Sequence, residues 1–147
     1  MADTRQRQRE TAEEISDAFV RAYNTGDTSL IEPVVTDDFV AHNLSEELDL
    51  HGASEYAGRI KEIRGAFDGF EMEEEFLVVE GDRGASRIRW RGRHTDTFQG
   101  IPATNREVDT TSVALLRMDD GGLAEMWVYN DTTGLMRQLG VDPTGNR

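Results

Sequence analysis

The 147-residue chain has no cysteine, only three prolines and a single lysine, Lys61. Without cysteine there are no disulfides, thiolate zinc sites or cysteine nucleophiles, and nothing further follows about redox compartment. No apolar run approaches the roughly 20 residues of a membrane-spanning helix, and the charged opening MADTRQRQRE has no stretch like the apolar core of a secretory signal. The expectation is a cytoplasmic protein with no membrane partner. Three scattered histidines lack compact ligand spacing, no strand leads through a glycine-rich loop into a helix, and no serine sits in a nucleophile elbow. Neither metal nor cofactor is expected.

What is abundant is acid. Asp and Glu number 29 against 16 Lys and Arg, a formal charge of −13, which repels nucleic acid. An acidic, lysine-poor surface stays hydrated in molar salt, and the favoured reading is a cytoplasm of extreme salinity. A GC-rich genome is the rival explanation; it accounts for arginine over lysine but not for the acid excess.

The length suits one domain, 1–147, which at this size buries roughly 68–70% of its unfolded surface. Residues 1–10 are expected to be frayed or to begin the first helix, and 141–147 to form a tail. Ile15, Ala18, Phe19, Ala22 and Tyr23 recur at helical spacing between Thr4 and Asn24. Asn24 to Asp27 reads as a stop and a new cap. Leu30, Ile31, Val34 and Val35 then suit a short second helix with Pro33 in its first turns. Phe39 to His42 reads as a brief strand, followed by a polar loop that holds His51. Tyr56, Ile60, Ile63 and Phe67 mark another helix.

After Gly69 the period changes to 2, with turns at Gly81–Gly84 and Asp119–Gly122. The second half therefore reads as an antiparallel sheet. Arg87, Arg89, Arg91 and Arg93 share one face of a strand, while Ser86, Ile88, Trp90, Gly92 and His94 share the other. The arginine row resembles an anion-binding strip, but Glu71, Glu73 and Glu75 on the preceding strand make ion pairing, or a subunit interface, the cheaper explanation. The final strand places Leu123, Glu125, Trp127, Tyr129 and Asp131 on one face, and a short helix runs from Thr132 to Leu139. Helices followed by a meander of long strands predict an α+β domain whose curved antiparallel sheet closes into a cone, with a pocket for a small molecule at its mouth.

Asp131 and His94 are the candidate catalytic residues. A carboxylate shielded among aromatic side chains holds its proton near neutral pH and works as a general acid or base. Asp131 also stands where a side chain caps a helix, and the two roles can coexist. Trp127, Trp90 and Tyr129 are expected to wall the pocket, Phe98 to Pro102, including Ile101, to rim it, and His42 either to line the cavity or to lie at the surface. If the strands of His94 and Asp131 adjoin, His94 stabilises an enolate while Asp131 takes the proton.

Gly92-Arg93-His94, the segment Phe98 to Thr104, Gly121 to Trp127 with Asp131, and Gln138-Leu139-Gly140 together resemble the SnoaL-like polyketide cyclase family. The similarity runs from the first helix to Gly140 and implies the cone-shaped NTF2-like barrel. It also implies cofactor-independent intramolecular aldol closure of a polyketide ester, with Asp131 as acid/base, His94 in the pocket and Trp127 four residues before the aspartate. Ala103 and Asn105 stand where the family often has proline and glycine.

The leading expectation is therefore an enzyme acting on a small carbonyl-bearing substrate. A binding module for a hydrophobic ligand is the alternative from another class, and a filled cone serving as a dimerisation scaffold is a third. Self-association to a homodimer or higher homo-oligomer is expected in each case, because a sheet of this kind leaves one face to cover.

Overall fold

The computed structural model describes residues 2–142. Helix α1 spans Ala2–Thr25, so the segment 1–10 opens the first helix from its second residue. Its face of Ala12, Ile15, Phe19, Ala22 and Tyr23 is buried. The helix stops at Gly26, whose φ of +80° puts it in the left-handed region that glycine adopts without strain. The Arg64 guanidinium donates to the carbonyls of Tyr23 at 2.7 Å and Asn24 at 3.2 Å. It thereby satisfies two end-of-helix acceptors and sets a positive charge at the negative end of the dipole. The Asn24 side chain accepts from the backbone N–H of Met72 and donates to its carbonyl, tying the helix end to the sheet.

The helix expected around Leu30 to Val35 is replaced by two 3₁₀ turns, Thr28–Leu30 and Glu32–Val34, and Val35 already opens strand β1, Val35–Asn43. The Asp27 side chain caps the first turn at Ser29, and Pro33, at the start of the second, has no N–H to extend a ladder. The polar loop after β1 contains a second correction. Leu48–His51 forms strand β2, a short edge paired antiparallel to β1, and His51 ends it rather than lying in a loop. Its four residues are too few to show a period.

Helix α2, Gly52–Ala66, is followed by β3 (Phe67–Glu80), β4 (Arg83–His94), β5 (Glu107–Asp119), β6 (Gly122–Asn130) and α3 (Thr132–Gln138). The sheet order is β2-β1-β6-β5-β4-β3. All neighbours run antiparallel except β1 and β6, which pair in parallel, so the sheet is mixed rather than wholly antiparallel. The long crossover from β1 to β6 through half the chain is what permits that pairing. β2 and β3 stay at the two edges, so the curved sheet is not closed by hydrogen bonds.

α1 and α2 cover the inner face. Phe19 meets Tyr56 edge-on at 5.1 Å, Tyr23 stacks on Phe70 at 5.7 Å, and Phe67 meets both Trp90 and Phe98 at 5.1 Å. Each such buried apolar side chain contributes roughly 1.5–3 kcal/mol over its exposed state. Gly92 is required where β3 crosses β4, since a Cβ there would meet the Phe67 Cβ at 3.0 Å.

On the outer face the arginine row is ion-paired, as its acidic neighbours imply. Arg87 reaches Glu75 at 2.8 Å, Arg91 reaches Glu71 at 3.4 Å, and Arg93 reaches Glu107 at 2.7 Å. Arg89 grips Asp109 with both arms of its guanidinium, which lowers the Asp109 carboxyl from its usual range. α3 ends in a Schellman motif: Val141 N–H donates to Met136 O and Gly140 N–H to Arg137 O. Val141, the first residue of the expected tail, takes part in the helix stop.

Candidate active site

The inward residues of the sheet alternate as strand geometry requires, and with α1 and α2 they leave a cavity. The cavity volume is about 110 Å³. Apolar side chains dominate the walls: Phe19 and Ile15 from α1, Trp90 and Ile88 from β4, Met126 and Val128 from β6.

Polar groups enter at a few points. Tyr23 and Tyr56 share a hydrogen bond of 3.0 Å between their hydroxyls, and burial raises both phenols, Tyr56 the further, so both are protonated at neutral pH. Arg59 is only 8% exposed. It pairs with Glu46, which Asn43 also bonds, and its guanidinium lies 5.5 Å from the centre of the Phe98 ring. Ser86 donates to Glu74 at 2.5 Å, and Ser112 to the Asn130 side chain at 2.5 Å. The Thr110 hydroxyl, also on the wall, is buried without a protein partner. A hydroxyl sealed off in that way costs about 1–3 kcal/mol. Among the described residues no cluster of three or more His, Asp or Glu side chains is assembled that could hold a metal ion.

Asp131 lines the cavity at its lip, but the side chain is exposed rather than shielded. Its Oδ1 accepts the Gly134 N–H at 2.9 Å and caps α3. Trp127 and Tyr129, expected to dry it, point the other way, because the inward set of β6 is Met126, Val128 and Asn130. Trp127 stacks on His42 at 5.9 Å between ring centres and takes the Arg83 guanidinium on its ring. Tyr129 is 48% exposed on the outer face. His42 lies on that same face, bonded through Nδ1 to Asp49 at 2.8 Å and through Nε2 to Glu125 at 2.7 Å. Of the expected wall and rim, Trp90 and Phe98 line the cavity, whereas Ile101 bonds back to Phe98 and lies outside the lining.

His94 is fully buried and absent from the cavity wall. Its ring lies 5.3 Å from Phe67, and Nδ1 accepts the Thr104 N–H at 3.2 Å, which leaves the ring proton on Nε2. Nor do the strands of His94 and Asp131 adjoin: β5 runs between β4 and β6. The backbone of His94 is anchored at Arg106 and that of Asp131 at Thr111. Along an extended strand those anchors stand about 16 Å apart. The expected pairing of the two residues is therefore not formed.

Sequence reasoning did not single out Tyr23, Tyr56, Arg59, Glu46 or Thr110 for the site. Tyr23 and Tyr56 were visible as helix-face residues, but periodicity does not separate a filled core from a hollow one. Arg59 also had a signal, a lone cation on the buried face of α2, one turn before Ile63.

The profile of the SnoaL-like polyketide cyclase family matches residues 13–139. Aklanonic acid methyl ester cyclase DauD of Streptomyces sp. strain C5 is 28% identical over 123 residues, covering 82% of this chain and 76% of its own. The solved structure of TsrD from Streptomyces laurentii superposes with a TM-score of 0.81 at 26% identity, covering 90% of this chain and 96% of the other. A protein of ketosteroid isomerase-like fold from Catenulispora acidiphila, crystallised with trimethylamine, superposes with a TM-score of 0.73 at 13% identity over 90% of this chain and 97% of the other, a likeness of fold alone. With the family profile spanning most of its length, this chain belongs to the SnoaL-like polyketide cyclase family.

Proposed function

We propose that the cone is the reaction chamber of a cofactor-independent cyclase acting on a small, carbonyl-bearing, polyketide-like ester. The supporting observation is an apolar cavity with the Asp131 carboxylate at its lip. Asp131 takes an acidic α-proton from the bound substrate, the resulting enolate carbon attacks a second carbonyl of the same molecule, and the proton returns to the new alkoxide. One carbon–carbon bond forms and nothing is lost. A bound substrate lying across the mouth excludes water from the carboxylate, which the empty lip does not do alone. Stabilisation of the enolate falls to donors on the cavity wall, such as the Tyr23–Tyr56 pair, because His94 stands behind that wall. Incubation with aklanonic acid methyl ester, the compound in the DauD name, tests the reading. The expected product has unchanged mass, a new ring and altered absorbance; recovery of the ester alone over a panel of such esters contradicts it.

A second reading is a binding protein for a hydrophobic ligand. What favours it is the exposure of Asp131 and its use as a helix cap, since a binder needs the hollow and not the carboxylate.

We further propose self-association through the outer sheet face and work in a salt-rich cytoplasm. Phe76, Val78, Val113, Leu115 and Tyr129 are each between 38% and 54% exposed on that face. The register aligns Phe76, Arg87, Val113 and Tyr129 in one cross-strand row, with Val78, Ala85, Leu115 and Trp127 in the next. Light scattering is expected to give at least a dimer, and Leu115→Asp to reduce it to monomer; a monomeric parent at micromolar concentration overturns the assembly. Among the described residues no helix is long and apolar enough to cross a membrane.

A further inference from the structure

We propose that Thr110 is the residue that positions the ligand in this cavity, its hydroxyl donating to a carbonyl oxygen of the bound molecule; this rests on the reading of the cone as a small-molecule chamber. Thr110 belongs to the inward row of β5 and is 6% exposed. Of the other buried hydroxyls on the wall, Ser86 bonds Glu74, Ser112 bonds Asn130, and Tyr23 and Tyr56 bond each other. Among the described residues Thr110 Oγ1 is the one buried side-chain polar atom of the lining without a protein partner; the other such buried atom, His94 Nε2, lies off the wall.

A hydroxyl on a mostly apolar wall selects strongly. A ligand that packs a C–H group against it leaves the donor unmade, whereas a carbonyl makes the bond. The surroundings favour a flat ligand. Trp90 faces Thr110 across the β4–β5 pair, and Phe98 lines the same cavity. An aromatic ketone therefore finds ring surface and a donor together.

Thr110 also stands beside the acid. Thr111, the next residue, accepts the Asp131 backbone N–H at 3.2 Å, and Thr110 and Asp131 both line the cavity. A carbonyl held at Thr110 presents its neighbouring carbons toward the lip, where Asp131 stands. That arrangement orients the substrate without Thr110 taking part in proton transfer.

The test compares two probes of one ring frame, 9-fluorenone and fluorene, titrated by quenching of tryptophan fluorescence, since Trp90 lines the cavity. Thr110→Val keeps the shape and removes the donor; Thr110→Ser keeps the donor. Thr110→Val is expected to weaken fluorenone binding about 2- to 12-fold, the range of one neutral hydrogen bond. Fluorene binding is expected to stay level, and Thr110→Ser to retain the fluorenone affinity. A loss by Thr110→Val that is equal for both probes, or no loss for fluorenone while both still bind, overturns the assignment and leaves the chamber standing. Binding of neither probe to the parent protein overturns the chamber and this assignment with it.

Discussion

Asp131 Oδ1 accepts the Gly134 N–H at 2.9 Å, and that single bond both starts α3 and fixes a carboxylate at the mouth of the cone. The two consequences separate by substitution. Asparagine caps as well as aspartate, so Asp131→Asn is expected to fold with the parent's stability. Asp131→Ala loses the cap and is expected to cost about 1 kcal/mol in urea unfolding. Equal midpoints for alanine and asparagine would show that the cap carries no weight.

His42 gives the pH dependence. Its bonds to Asp49 first and Glu125 second raise its pKa, and His42 in turn is the main cause of the lowered Glu125 pKa. The raised histidine contributes stability that is complete below its unfolded value of about 6.5 and is lost as pH rises through the folded value. The lowered glutamate contributes stability present above about pH 4.3 and lost as pH falls through its folded value. Stability from this group therefore peaks between about pH 4.3 and 6.5. The effect is expected to be on the order of 1 kcal/mol or less, since the site is on the surface. His42→Gln should flatten the decline above pH 6.5 in thermal unfolding; an unchanged slope places its origin elsewhere.

The Arg59–Glu46 pair makes the opposite kind of prediction, because it is buried. Removing Glu46 as Glu46→Ala strands a guanidinium that is 8% exposed, with Glu62 at 3.6 Å as its remaining carboxylate. The expected loss is about 3 kcal/mol, the lower end for breaking a buried pair because Glu62 partly compensates. A change under about 0.5 kcal/mol in chemical denaturation contradicts a structural role, since that is the range of ordinary surface substitutions.

Salt tests the proposed environment. With a net charge of −13, self-repulsion at low ionic strength is expected to lower the melting temperature steadily as KCl is withdrawn from molar to millimolar concentration. A melting temperature independent of KCl removes the halophilic reading and leaves base composition to account for the arginines.

The architecture was legible because it rests on periods. The runs from Ile15 to Tyr23 and from Arg87 to His94 declare helix and strand, and the glutamates of β3 declare the partners of Arg87 and Arg91, whereas Arg89 and Arg93 pair chiefly with Asp109 and Glu107 of β5. Strand β2 was hidden by its length. The parallel pairing of β1 with β6 was hidden because register between distant strands leaves no local trace. The site was less legible. Alternation sorts β6 into two faces but does not say which faces inward, so Trp127 and Tyr129 were assigned to the wall that Met126 and Val128 in fact provide. His94 lay on the correct face of β4, yet at the strand end its ring is buried against Phe67, bonded to Thr104 and off the cavity lining.

The most direct test of the proposed chemistry is turnover of a cyclisable polyketide methyl ester by the parent protein and by Asp131→Asn, with fluorenone binding as the check that the cavity is intact. The expected result is unchanged binding and a rate reduced about 10²- to 10⁴-fold, the usual contribution of one acid/base group. Turnover by Asp131→Asn at the parent rate contradicts the assignment of Asp131 as the base.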